Sequence, residues 1–175
     1  MNIPKQQLMP KYEFQKQYDQ AIDKLNLSTD NDIKLNDYHI RDKIFAAERW
    51  MKEQPQLELK VFHHFSYGIY ARELHIPEGT ILTGEIHKFE NLNILSKGRI
   101  SVLTEEGIKE VGAPFTVVSP PGTKRIAYAH TDCIWTTIHG TFERDLDIIK
   151  QQFVATTEKD WLEFCGANQL LLALD

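Results

Sequence analysis

The residue types and spacings best suited to chemistry centre on Glu85, His87 and Arg125. Glu85 and His87 stand two apart in ILTGEIHKF, so on an extended strand they point to the same side. A carboxylate beside an imidazole can work as a base with its orienting partner, or as two ligands of a divalent metal. Arg125, in PPGTKRIAYAH, is a permanent cation. Its planar fork suits carboxylate or phosphate and cannot ligate a metal. Tyr70 and Arg72 alternate with Leu74 and Ile76 on the more apolar face of GIYARELHI, which is therefore expected to point inward. Asn91, Asn93 and Leu95 share one strand face, and Trp135, Thr137 and His139 share another. For the last strand the choice between that face and Ile134, Thr136 and Ile138 stays open. His63 and His64 are neighbours, so at most one of them faces a common cavity.

Three zones position these residues. Residues 1–58 read as a helical extension. Pro10 suits a helix start. Phe14, Tyr18, Ala21, Ile22 and Leu25 recur at helical spacing, Asn26 to Asn36 reads as a loop, and a second helix is predicted from Tyr38 to Lys52. Ile40, Ile44, Ala47 and Met51 form its stripe, and Gln54-Pro55 ends it. Residues 59–140 carry short runs rich in β-branched and aromatic residues. Breaks at Pro77-Glu78-Gly79, Lys97-Gly98, Glu106-Gly107 and Pro120-Pro121-Gly122 predict an antiparallel barrel or sandwich. Residues 141–175 return to helix. Thr141 is the expected cap of a helix with Leu146, Ile149 and Phe153, and Thr157 with Asp160 a capping-box variant. The terminal LLLALD is expected to pack on the body or on a partner.

The central zone resembles the cupin superfamily of RmlC-like jelly-roll barrels. The first cupin motif, G-x5-H-x-H-x3-E-x6-G, is met here as Gly79, Glu85, His87, Asn91 and Gly98, with Glu85 and Asn91 replacing a histidine and the glutamate. The second motif's P-x-G-x2-H-x3-N becomes Pro120, Gly122, Arg125 and Ala129, and Pro114 stands where its opening glycine is expected. HHFSYGIYARELHIPEGTILTGEIHKFENLNILSKG followed by PPGTKRIAYAHTDCIWTTIH also resembles small cupin-like proteins of tailed phages and prophages. The resemblance implies a mainly β chain: a single cupin-type antiparallel β-barrel (jelly roll) with N-terminal and C-terminal α-helices.

The cupin frame puts Tyr70, Arg72, Glu85, His87, Asn91, Asn93, Arg125 and His139 near one barrel mouth. So many polar groups must be paired, for instance Glu85 with Arg125 or Arg72, or must surround a solvated ligand. Metal-dependent cupins use three histidines and a glutamate, of which only His87 survives here; Glu85 and His139 are the replacement candidates for iron, manganese or zinc. His63, His64 and His130 are further histidines without a spacing that requires them. Without a metal, His87 with Glu85 becomes the candidate base pair, as in metal-free cupin-like sugar isomerases. Tyr70, Arg72, Asn91, Asn93, Arg125 and His139 become the ligand-binding set.

The expected function is to bind a small anionic metabolite, a nucleotide or a sugar in the barrel. A cupin enzyme, either a metal-dependent oxygenase or isomerase or a metal-free sugar-type isomerase, is the alternative. A structural or interaction scaffold is the second. A homodimer is expected by analogy with other cupins.

Composition narrows the classes further. The 175 residues are 42% hydrophobic and 26% charged, with a net charge of -5. That excludes wholesale disorder and argues against nucleic-acid or membrane-surface partners, which need a basic footprint. Lys124-Arg125 is too short a basic run to change that. Cys133 and Cys165 form no C-x-x-C pair or disulfide framework, and Cys133 reads as a small core residue. No phosphate-binding glycine loop and no G-x-S-x-G motif occurs. With no apolar leader at the start and no apolar run of about 20 residues, the expectation is a cytoplasmic protein, in the host cytoplasm if phage-encoded.

Overall fold

The computed structural model describes residues 37–168. The expected helix through Phe14 to Leu25, the loop over 26–36 and the terminal LLLALD lie outside the described residues.

Helix α1 spans Asp37–Lys52, as the 3.6-residue stripe predicts. Its Ile44 is fully buried. Two polar anchors hold the helix to the body. Arg41 donates to both carboxylate oxygens of Glu158 (2.9 and 2.8 Å), to Glu105 (2.6 Å) and to the Gly122 carbonyl (2.7 Å). Glu48 accepts from the buried Lys124 ammonium at 2.8 Å, and Lys124 also donates to the Gly84 carbonyl at 2.9 Å and lies over the Phe45 ring. Burial works against the Glu48 carboxylate, but the Lys124 hydrogen bond and charge, with Thr83 and Lys52, outweigh it and lower its pKa.

The body is antiparallel β structure. Its strands are β1 (Lys60–Ser66), β2 (Ile69–Ile76), β3 (Ile81–Thr83), β4 (Ile86–His87), β5 (Asn91–Lys97), β6 (Arg99–Thr104), β7 (Gly107–Gly112), β8 (Phe115–Ser119), β9 (Ile126–Ala129) and β10 (Cys133–Gly140). One sheet has the order β1-β2-β10-β5-β8 and the other β3-β9-β6-β7. Period-two alternation turns Leu74 and Ile76 of β2, Leu95 of β5 and Cys133 of β10 into a core with Ile100 of β6 and Ala129 of β9. That core joins the two sheets. Full burial of side chains such as Leu95 and Ile76 stabilises by about 1.5–3 kcal/mol each. The chain is thus mainly β and jelly-roll in character, as the motif frame implies.

Two motif glycines are sterically required. Gly98 turns β5 into β6 at φ +90°, and a side chain there would run into the Asp132 carbonyl and the Cys133 sulfur. Gly122, at φ +76°, lies flat against the Trp161 indole.

Several local expectations are revised. ILTGEIHKF is not one strand: the ladder breaks at Gly84 and Glu85, and Gly84 N–H donates to the Arg125 carbonyl at 2.9 Å. GIKEVG, unrecognised in the sequence because it is short and interrupted by the charged pair Lys109-Glu110, forms β7 through its hairpin with β6. Helix α2 (Leu146–Phe153) is capped by Asp145, which accepts from the N–H groups of Asp147 and Ile148. The expected cap, Thr141, instead accepts from Glu143 N–H in the preceding turn. The C-terminal zone also adds a short strand, β11 (Val154–Ala155), paired with β4. Helix α3 (Glu158–Ala167) opens with the expected Thr157–Asp160 capping box.

Candidate functional site

A cavity of about 560 Å³ opens between the sheets. Tyr70, Arg72, Glu85, His87, Asn93, Arg125 and His139 all line it. The ladder register explains why. His139 and Thr137 of β10 stand opposite Tyr70 and Arg72 of β2, and Thr137 in turn stands opposite Asn93 of β5. The open choice on β10 is thereby decided: Thr137 and His139 are buried and face inward.

Asn93 organises the floor. Its Oδ1 accepts from Trp135 Nε1 (3.1 Å) and Thr137 Oγ1 (2.8 Å), and its Nδ2 donates to Asn91 Oδ1 (2.7 Å) and Ser119 Oγ (2.9 Å). Ser119 Oγ also accepts from Arg125 Nη2 at 2.7 Å. This network satisfies the buried amide, as burial of a polar group requires. It also corrects one assignment: Asn91 is buried behind Asn93, bonded to it and to the Phe89 carbonyl, and does not line the cavity.

The two histidines form a stack. His87 lies on His139 with ring centroids 5.0 Å apart, and His139 lies on Phe153 at 4.4 Å. Both Nδ1 atoms are buried without a hydrogen-bond partner. Burial, then the nearby His139, Arg125 and Arg72, pushes the His87 pKa down to about 3. Burial alone pushes His139 down to about 4. Both rings are therefore neutral at neutral pH, and His87 is a weaker base than a role as general base asks for.

Tyr70 Oη shares a 2.8 Å hydrogen bond with His63 Nδ1. Burial raises the Tyr70 pKa, with Arg72 opposing and Glu85 adding. His63 is the one of the adjacent pair that reaches the cavity; His64 turns away and pairs with Glu73 at 3.4 Å. His130 is outside it, bonded to Ser101 Oγ at 2.7 Å.

Glu85 departs from expectation. It reaches only the exposed rim, where it pairs with Lys150 of α2 at 3.1 Å rather than with Arg125 or Arg72. The cause is the break at Gly84. Ile86 takes the buried position, pairing with Ala155, and Glu85 is left at the edge. Arg125 packs its stem against Gly84, where an added Cβ would lie 2.8 Å from Arg125 Cγ.

These positions do not suit a metal. Among the described residues no group of three or more His, Cys, Asp or Glu side chains could hold one. His87 and His139 stack face to face, Glu85 is turned to Lys150, and Arg125 adds a positive charge beside them. The set Glu85, His87 and His139 is thus not brought to one centre that iron, manganese or zinc could occupy.

The cations are the unbalanced part. Burial lowers the Arg125 pKa, and its guanidinium has no carboxylate partner among the described residues. Arg72 makes no hydrogen bond or ion pair with them. Sequence reasoning missed Ser119 as the group that holds Arg125. The alternation Phe115, Val117, Ser119, opposite Leu95, Asn93 and Asn91, would have placed it inward. It also read Lys124 only as half of a basic pair, whereas Lys124 is a buried strut under α1.

No family model matches the sequence, and no curated protein sequence matches it. Solved structures with a similar chain course include a cupin-2 domain protein from Shewanella frigidimarina, at 11% identity over 54% of this chain and 91% of that one (TM-score 0.39). A cupin superfamily protein from Desulfitobacterium hafniense has 9% identity over 51% and 83% (TM-score 0.42). An RmlC-like cupin with a double-stranded β-helix fold from Methanocaldococcus jannaschii has 11% identity over 51% and 85% (TM-score 0.42). At these identities and TM-scores the likeness concerns the course of the strands over about half the chain and carries no statement about a reaction. The chain's own strands form two antiparallel sheets, in the orders β1-β2-β10-β5-β8 and β3-β9-β6-β7.

Proposed function

We propose that the protein binds a small organic anion in the cavity between its sheets. One observation carries this reading: Arg72 and Arg125 line the same cavity, and neither guanidinium has a carboxylate partner among the described residues. A desolvated cation without a counter-ion is costly, and an anionic ligand would supply one. The two neutral imidazoles, each with an unpartnered buried Nδ1, offer further hydrogen-bonding positions. Arg125 Nη2 donates to Ser119 Oγ, which holds one arm of the fork and favours a preformed site.

The test is calorimetric titration of the full chain with simple anions, acetate and inorganic phosphate first, for wild type and Arg125→Gln. Saturable binding that Arg125→Gln weakens by tenfold or more is expected. Identical titrations of the two proteins, with circular dichroism unchanged, would remove the anion site.

A further inference from the structure

The cavity is not uniformly polar, and the ladder register divides it. At one end stand Tyr70 and Arg72, opposite His139 and Thr137. Two residues further along the same strands, Leu74 stands opposite Trp135 and Val61. From the facing sheet, Arg125 precedes β9 on the polar side. Ala127, two residues on, pairs with both Leu82 and Val102. One step along every strand therefore converts a cationic, imidazole-lined end into an aliphatic one.

Among the described residues the aliphatic end is not closed by packing. Val61, Leu82, Val102, Ala127 and Trp135 pack on the buried core but remain only partly buried themselves, and all five line the cavity. Inward-facing aliphatic residues of a jelly roll ordinarily fill one another's space, because interiors are close-packed. At about 560 Å³ the space falls within the roughly 300–1,000 Å³ of small-molecule sites. The charged lining agrees with one anionic head. Glu85 and Lys150 pair at the rim, Asp147 belongs to the first turn of α2, and Arg72 and Arg125 are left over.

We infer that the ligand is an amphipathic organic acid, its carboxylate held by Arg125 and Arg72 and its hydrocarbon body lying among Val61, Leu82, Val102, Ala127 and Trp135. This rests on the anion-binding reading above and adds the chemistry of the body to that of the head. Hydrophilic anions such as inorganic phosphate or a sugar phosphate would leave the aliphatic end wet.

The experiment titrates butyrate, hexanoate, octanoate and inorganic phosphate into the full-length chain. Affinity should climb about fourfold per added methylene, the factor that corresponds to burying one CH2 group. Arg125→Gln should weaken every alkanoate by at least tenfold. Ala127→Leu, which puts bulk into the aliphatic end, should flatten the climb, with octanoate losing more affinity than butyrate. Should Ala127→Leu fail to fold, Val102→Thr keeps the shape, adds a hydroxyl and should shrink the climb in the same direction. Equal affinity for butyrate, octanoate and phosphate, all lost in Arg125→Gln, would overturn the amphipathic ligand and leave the anion site standing. A chain-length climb untouched by Arg125→Gln, or no binding of any probe, would overturn both.

Discussion

His87 and His139 come from strands far apart in sequence, yet their rings stack with planes 27° from parallel and centroids 5.0 Å apart. Each has an Nδ1 that is buried and unpartnered. Their folded pKa values, about 3 and about 4, lie below the ordinary 6.5. The unfolded chain thus takes up protons first as pH falls. Their contribution to stability is fully present above about pH 6.5 and is lost progressively toward the folded values. The expected loss is about 1.4 kcal/mol per pH unit for each histidine within that window. Urea denaturation at about pH 7 and pH 5 measures it, and His139→Gln should roughly halve the slope. A flat stability profile across that interval would show that the stack is not held neutral.

Ser119 is the joint between the floor network and the cation. Its hydroxyl oxygen accepts from both Asn93 and Arg125. Ser119→Ala leaves two donors without that partner, and should cost about 1–3 kcal/mol of unfolding free energy. It should also weaken anion binding, because Arg125 loses the contact that aims it. Chemical denaturation together with titration reads both effects, and an Ser119→Ala protein unchanged in each would remove the joint.

Arg41 ties helix α1 to the turn after β8, to the β6–β7 turn and to α3. Its side chain is 13% exposed, while Glu105 and Glu158 are 33% and 36% exposed, so solvent weakens the charge terms. Arg41→Ala should cost about 1–2 kcal/mol, less than the number of bonds suggests. Hydrogen exchange should show α1 amides deprotected relative to β5 and β10, whereas uniform loss across the molecule would mean that α1 is not separately anchored.

Gly98 and Gly79 are both motif glycines at positive φ, +90° and +81°. A side chain at Gly98 meets the Asp132 carbonyl and the Cys133 sulfur, while one at Gly79 meets nothing within 4 Å. Gly79→Ala should therefore cost only the backbone part, about 1–2 kcal/mol. Gly98→Ala should cost more than about 3 kcal/mol, since neither the carbonyl nor the buried sulfur can move aside cheaply. Thermal melting of the pair compares them directly, and equal melting temperatures would contradict the close approach.

Much of this was legible in the residues because strand alternation is local. Tyr70, Leu74 and Ile76 faced inward as the apolar count on β2 predicts, and Asn91, Asn93 and Leu95 followed the same period-two rule. Helix α1 and the Thr157 capping box were equally local in origin. Other features depended on residues distant in sequence. Whether Trp135, Thr137 and His139 or the opposite set faced inward needed the partners β2 and β5 on either side of β10. Glu85 was misplaced because nothing within ILTGEIHKF signals that Gly84 would bond to Arg125 and that Ile86 would pair with Ala155, about 70 residues away and beyond α2. The polar and aliphatic halves of the cavity are successive residues on one face of each strand, such as Tyr70 and Arg72 followed by Leu74 on β2. Only the stacking of registers across two sheets put the arginines at one end and the bare valines and leucines at the other, because a register is a property of pairs of strands and not of any one of them.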